Sequence, residues 1–109
     1  MSRSDGAGLR PETLTVGLGY DPASARGSAK PPIYMTSTFV YETAQHAKDV
    51  HRRFFDGPAE GEAEDPAFIY ARLGNPNLTM VETRLAALDR AEAAAGFCRG
   101  MAAISTVLM

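Results

Sequence analysis

One stretch, residues 93–104, decides the fold: Ala93-Ala94-Ala95-Gly96-Phe97-Cys98-Arg99-Gly100-Met101-Ala102-Ala103-Ile104. The short apolar run before Arg99 is typical of a buried strand. Gly100 interrupts the run, and the small and apolar residues from Met101 to Met109 predict a helix. The stretch therefore predicts a strand that turns at a glycine directly into a helix.

A longer amphipathic helix is predicted just before this stretch. Pro76 suits its first position with Asn75 as the cap, although Thr79 and Glu82 offer an alternative capping box and a later start. Four apolar residues recur at the spacing of one helical face: Leu78, Val81, Leu85 and Leu88. The order helix, strand, glycine, helix predicts an α/β fold class whose sheet needs further parallel strands. We expect a truncated chain with an incomplete core.

The residues before this helix form further segments. Residues 1–32 are rich in Gly, Pro, Ser and Ala without a period, which predicts an extended N-terminal arm. Residues 33–66 form the next segment: Ile33 to Tyr41 is β-branched and aromatic, hence extended or strand-like, and Thr43 caps a helix to about Phe55. The remaining segment, residues 67–109, begins the α/β domain.

Composition and charge exclude several classes of function. A net charge of −2 over 109 residues argues against nucleic-acid and anionic-membrane partners. Without an apolar run of bilayer length or a secretion signal, we expect a cytoplasmic protein. Cys98 is the only cysteine, which excludes an internal disulfide, and the spacing of His46 and His51 does not suit zinc, so no metal is expected.

An acidic stretch, Asp56 to Asp65, contains five acids and no base. It is predicted to be a solvated loop, with a partner-binding loop as the alternative.

Two local features could bind a phosphate. At Gly100 and Met101, a helix that begins at a glycine presents free backbone N–H groups and the positive end of the helix dipole. At Tyr70 and Arg72, an extended chain would place a phenol and a guanidinium on the same side. Taken singly, the first pattern is also typical of a tight turn without a ligand, and the second of an ordinary surface.

Together the motifs resemble the PLP-dependent enzymes of Cys/Met metabolism: cystathionine γ-synthase, cystathionine γ-lyase, methionine γ-lyase and the O-acylhomoserine sulfhydrylases. The resemblance covers about residues 30 to 109. It is carried by these motifs: Pro32-Ile33-Tyr34 with Thr36-Ser37-Thr38-Phe39, Tyr70-x-Arg72-x-Gly74-Asn75-Pro76, Glu82-x-x-Leu85-Ala86-Ala87-Leu88, Ala91-Glu92-Ala93-Ala94 and Gly100-Met101-Ala102-Ala103-Ile104.

The resemblance implies a fold-type-I, aminotransferase-like architecture, with residues 67–109 as the incomplete start of the PLP-binding domain. It implies that the amides of Gly100 and Met101 hold the pyridoxal 5'-phosphate (PLP) phosphate within one subunit. It implies that Tyr70 and Arg72 reach the phosphate in a neighbouring subunit of a homodimer or homotetramer, with Tyr70 also assisting proton transfer. The implied reaction is γ-replacement or γ-elimination on an amino-acid substrate such as O-acylhomoserine, cystathionine or methionine, and the sequence leaves synthase and lyase open.

Some residues depart from the family pattern. Neither Lys30 nor Lys48 has the setting of the family's Schiff-base lysine, so the 109-residue chain alone is expected to be inactive. Arg99 stands where the family has a small residue, and it could add a bond to the phosphate or crowd it. Cys98 is predicted to be a small buried residue rather than a nucleophile. The absent Schiff-base lysine, Arg99 and the abrupt apolar end also fit a non-catalytic remnant that at most binds phosphate or pairs with an intact homologue. An unrelated phosphate-binding α/β module is the remaining alternative.

Overall fold

The structure, a computed structural model, describes residues 8–61 and 67–109. Their regular elements are helices α1 (Pro11–Gly17), α2 (Ala44–Asp56), α3 (Pro76–Asp89) and α4 (Gly100–Leu108), with a 3₁₀ turn at Pro22–Ala25. These residues divide into two compact units. The first contains residues 8–33 and 76–109, and the second contains residues 34–61 and 67–75. None of the helices in the described ranges has the length and apolarity needed to cross a membrane.

The first unit is organised by the packing of α1 against α3. Arg84 on α3 donates hydrogen bonds from Nε to the Leu18 carbonyl at 2.8 Å and from Nη2 to the Val16 carbonyl at 3.2 Å. These carbonyls lie at the C-terminal end of α1, where a helix leaves carbonyls without partners and favours a cation. Leu14, only 6% exposed, is the buried residue of α1. A side chain that is distant in sequence therefore completes the end of this short helix.

The prediction of an extended arm over residues 1–32 missed α1 and the 3₁₀ turn. Pro11 occupies the start of α1 after an extended Arg10, and Glu12 lies in the first turn. Both are favourable at a helix N-terminus. A helix of 7 residues is too short to be stable alone, and it is too short to show a recognisable helical repeat of apolar residues. Residues 1–7 lie outside the described residues.

The second unit contains α2 and the chain around Tyr70. The prediction of a helix capped by Thr43 is confirmed, because the Thr43 hydroxyl accepts a hydrogen bond from the His46 amide at 3.0 Å. Val50 on α2 is only 5% exposed and is the buried apolar residue of this unit. The rings of Phe39 and Phe68 contact each other with centroids 5.3 Å apart. Residues 62–66, which include much of the acidic stretch, lie outside the described residues, so the solvated loop stays a prediction.

The predicted helices α3 and α4 are confirmed. Helix α3 begins at Pro76, which excludes the later start at Thr79, and α4 begins at Gly100. Their apolar residues are largely exposed, and Val107 on α4 is 83% exposed. The described residues therefore do not cover these apolar faces.

The predicted strands are not formed, and in this respect the α/β prediction is wrong for the described residues. Only one isolated antiparallel bridge, Thr38 with Tyr70, occurs in the segment that begins at Ile33. Residues 93–98 are irregular, and Phe97 and Cys98 are exposed. A strand is stabilised by hydrogen bonds to a neighbouring strand, and none of the described chain pairs with residues 93–98. For the same reason the expectation of a buried Cys98 is wrong.

Candidate functional site

The Tyr70/Arg72 pair lies in a turn. The Tyr70 carbonyl accepts hydrogen bonds from the Leu73 amide at 2.8 Å and the Gly74 amide at 3.1 Å. The predicted extended chain is therefore wrong here, because the backbone folds back immediately after Tyr70. The two side chains nevertheless meet, with the Arg72 guanidinium carbon 4.9 Å from the centroid of the Tyr70 ring. Tyr70 is half-buried and Arg72 is exposed, so the guanidinium keeps donors available to an anion.

Several contacts from residues 34–41 hold this turn in place. Thr38 bridges Tyr70, and the Ala71 amide donates to the Ser37 carbonyl at 2.9 Å. The Tyr41 hydroxyl donates to the Phe68 carbonyl at 3.1 Å. These positioning residues were missed from the sequence, because hydrogen bonds between residues so far apart leave no local pattern.

The Asn75 side chain makes a further contact of this kind. It was predicted as a helix cap, and its Nδ2 donates to the Tyr34 carbonyl at 3.3 Å. The turn that carries Tyr70 and Arg72 is thus tied to the preceding segment on both sides.

The other candidate element is the start of α4. Arg99 precedes it in an extended conformation, with φ −150° and ψ 144°, and its side chain makes no capping hydrogen bond. The Arg99 carbonyl accepts from the amides of Ala102 at 3.1 Å and Ala103 at 3.3 Å. Within residues 8–61 and 67–109, no acceptor contacts the amides of Gly100 and Met101. They are available donors at the positive end of the helix dipole.

The space around Gly100 is open. A Cβ atom added at Gly100 would meet no heavy atom within 4 Å. Apart from its chain neighbours and the backbone of α4, no described residue therefore crowds this side of Gly100. Arg99 and Met101 are both exposed, and the two alternatives for Arg99, an added bond to the phosphate or crowding of it, stay predictions.

The segment that leads to Gly100 is held by α3. The Gly96 amide donates to Glu82 Oε1 at 2.7 Å. A Cβ atom added at Gly96 would lie 2.6 Å from Leu78 Cδ1, a distance that would force a shift. Glu82 and Leu78 therefore fix the backbone shortly before α4 begins.

A metal site is not formed by the residues that the structure describes, because no three His, Cys, Asp or Glu side chains gather there. What the two elements offer is anion binding: a guanidinium stacked on a phenol in one unit, and a pair of free backbone amides in the other.

Known proteins are similar to this chain over most of its length. The family described as Cys/Met metabolism PLP-dependent enzyme matches residues 12–109. An L-methionine gamma-lyase from Porphyromonas gingivalis is 45% identical over 85 residues, which cover 78% of this chain and 19% of that protein. An L-methionine gamma-lyase from Fusobacterium nucleatum subsp. polymorphum is 39% identical over 89% of this chain and 24% of its own length. O-acetyl-L-homoserine sulfhydrylase 1 from Thermus thermophilus is 33% identical over 87% of this chain and 20% of its own length.

The chain thus spans between 19% and 24% of the length of these relatives. The match to the family extends over nearly all of this chain and includes Tyr70, Arg72, Gly100 and Met101. The resemblance inferred from the sequence motifs is confirmed: the chain belongs to the Cys/Met metabolism family of PLP-dependent enzymes, whose cofactor is pyridoxal 5'-phosphate.

Proposed function

We propose that this chain supplies the phosphate-binding part of a PLP-dependent enzyme that acts on sulfur-containing amino acids. The family implies the fold-type-I architecture. The proposed reaction is γ-replacement or γ-elimination on substrates such as O-acylhomoserine, cystathionine or methionine. The 45% identity to an L-methionine gamma-lyase favours elimination. The cytoplasm is the proposed compartment.

The observation that carries the proposal is the open N-terminus of α4. The donor set fits a phosphate monoester, because two adjacent N–H groups, of Gly100 and Met101, are free of acceptors in the described chain. Phosphate is bound at helix N-termini through such groups together with the helix dipole. When bound, PLP supplies an electron sink for carbanions, and the protein supplies binding and orientation. Gly100 and Met101 are proposed to provide that binding.

The Tyr70/Arg72 pair is proposed to bind the phosphate of a cofactor held by a neighbouring subunit. Support comes from the exposed Arg72 guanidinium and its contact with the Tyr70 ring. Stacking on the ring orients the planar guanidinium, which suits it to bidentate contact with phosphate oxygens. The Tyr70 hydroxyl is proposed to hold or move a proton near the substrate. The active site would then be shared in a homodimer or homotetramer.

The proposal is tested by comparing two ligands that differ only in the phosphate. The full chain is titrated with PLP and with pyridoxal, and binding is followed by absorbance. We expect a clear preference for PLP, because hydrogen bonds to charged groups contribute about 1.5–3 kcal/mol each. Equal affinities for PLP and pyridoxal would contradict the proposal.

A second candidate function, phosphate binding without catalysis, is favoured by the lysines. Lys30 and Lys48 are both exposed, and Lys48 lies on α2. Borohydride reduction of the PLP-loaded chain, followed by peptide mass mapping, tests this second function. Full modification of Lys30 or Lys48 would contradict it, whereas binding of PLP with both lysines unmodified would support it.

A further inference from the structure

The start of α4 has few supports within the described residues. Helix α4 packs against no other helix there, since the helix pair in contact is α1 with α3. Its side-chain hydrogen bonds are local, from Ser105 to the Met101 carbonyl and from Thr106 to the Ala102 carbonyl. The position of its first amides therefore depends on the segment 90–99 that leads into it.

This segment is fixed to α3 at its beginning. The Ala91 amide donates to the Ala86 carbonyl at 2.8 Å, and Arg90 adopts a left-handed conformation with φ 56°. This arrangement is a Schellman-type helix end, which reverses the chain direction after α3. The segment thus starts from a defined point.

A second attachment comes a few residues before α4. The Gly96 amide donates to the Glu82 carboxylate at 2.7 Å, a length typical of a charge-assisted hydrogen bond. Leu78 lies four positions before Glu82, so both side chains project from the same face of α3. Because a Cβ at residue 96 would lie 2.6 Å from Leu78 Cδ1, the glycine allows the backbone to lie directly on this face.

We propose that Glu82 is a positioning residue for the amides of Gly100 and Met101. This inference rests on the phosphate site proposed above. Glu82 itself does not contact the phosphate; it holds the Gly96 amide, and only residues 97–99 separate that glycine from the amides. Without this attachment the amides would sample many positions, and phosphate binding would have to order them.

The test compares variants of two residues on α3 in the full chain. Glu82→Ala removes the acceptor, and Glu82→Gln keeps an oxygen that can accept from Gly96. Arg84→Ala is the matched control, since it removes the contacts to α1 and leaves the segment 90–99 untouched. Each chain is titrated with PLP and with pyridoxal, and its thermal melting is recorded by circular dichroism.

We expect Glu82→Ala to reduce the preference for PLP over pyridoxal by about tenfold, because phosphate binding would then have to order the released segment. Glu82→Gln should stay within about twofold of the unaltered chain, since a neutral acceptor is retained. Arg84→Ala should lower the melting temperature but leave the preference unchanged. An unchanged preference in Glu82→Ala, or an equal loss in Glu82→Gln, would overturn the role of Glu82 alone. Absence of a preference in the unaltered chain would overturn the phosphate site and this inference together.

A measurement without any variant covers the case in which Glu82→Ala does not fold. Hydrogen exchange of the Gly96 amide is compared in the unaltered chain with PLP, with pyridoxal and without ligand. If the attachment and the phosphate site are coupled, each must stabilise the other. PLP should then slow this exchange while pyridoxal does not, and equal exchange under all conditions would overturn the inference.

Discussion

The two candidate phosphate elements are built by different means. The Tyr70/Arg72 pair is proposed to bind through side chains, and its turn is held by hydrogen bonds to the Ser37 carbonyl and from the Tyr41 hydroxyl. The Gly100–Met101 element is proposed to bind through backbone amides, whose direction follows from the start of α4. The first should therefore be sensitive to the identity of its side chains. The second should tolerate side-chain changes that keep the N–H groups in place.

The largest effect should come from Arg72. Replacing Arg72 with Ala removes a guanidinium that can make a bidentate contact with phosphate. We expect PLP to bind more weakly by about 1.5–3 kcal/mol, the range for a hydrogen bond to a charged group. Equilibrium dialysis of PLP measures the loss, and Lys48→Ala, which removes an exposed positive charge on α2, is the control. Equal losses in both variants would indicate only a general charge effect.

The next largest effect should come from the backbone N–H group of residue 100, which two substitutions distinguish from the side chain. Gly100→Pro removes a single N–H group, and proline is tolerated at a first helical position after an extended residue such as Arg99. Gly100→Ala keeps the N–H group, and its Cβ meets no atom within 4 Å. We expect PLP affinity to fall about tenfold in the proline variant and to persist in the alanine variant. If alanine also abolished binding, the contact would not be a backbone contact.

A mixture of two variants tests whether the two elements serve one site. Arg72→Ala chains and Gly100→Pro chains are mixed under conditions that allow subunits to exchange. In a randomly paired symmetric dimer with shared sites, about a quarter of all sites would combine an intact Arg72 with an intact Gly100. We expect that fraction to regain tight PLP binding in a stoichiometric titration. No recovery after demonstrated exchange would place both elements in the same subunit's site or in unrelated sites.

The smallest effect should come from the Tyr70 hydroxyl. Tyr70→Phe keeps the ring that lies 4.9 Å from the Arg72 guanidinium and removes only the hydroxyl. We expect PLP affinity to fall by about 0.5–1.5 kcal/mol, the contribution of an ordinary hydrogen bond. Fluorescence titration with PLP is sensitive enough to measure this change. A loss as large as that of Arg72→Ala would show that the hydroxyl contributes as much to phosphate binding as the guanidinium.

The sequence predictions were accurate where an element depends on residues close to it in sequence, and they failed where it depends on distant residues. Helix α2 was predictable because Thr43 caps it locally, and α3 because Pro76 marks its start. Helix α1 was missed because Arg84, a residue distant in sequence, completes its end. The strand predicted at residues 93–98 was wrong because strands depend on neighbours that the described residues do not provide.

The same distinction between local and long-range interactions holds for the candidate site. Gly100 at the start of a helix has a local signature, and the family motifs pointed to Tyr70 and Arg72. The turn that brings these two side chains together depends on hydrogen bonds to residues 34–41. These hydrogen bonds could not be predicted from a local sequence pattern. The contact between Glu82 and Gly96 was likewise not predictable, since it requires the chain to reverse after α3. Local chemistry thus predicted the candidate residues, whereas their arrangement required the structure.

The central claim is that the amides of Gly100 and Met101 bind the cofactor phosphate. Backbone amide chemical shifts, followed by NMR while PLP is added to the isotope-labelled full chain, test it most directly. We predict that the amides of Gly100 and Met101 shift most among the residues of α4, and that pyridoxal leaves both unchanged. Shifts elsewhere in the chain with Gly100 and Met101 unaffected would contradict the account.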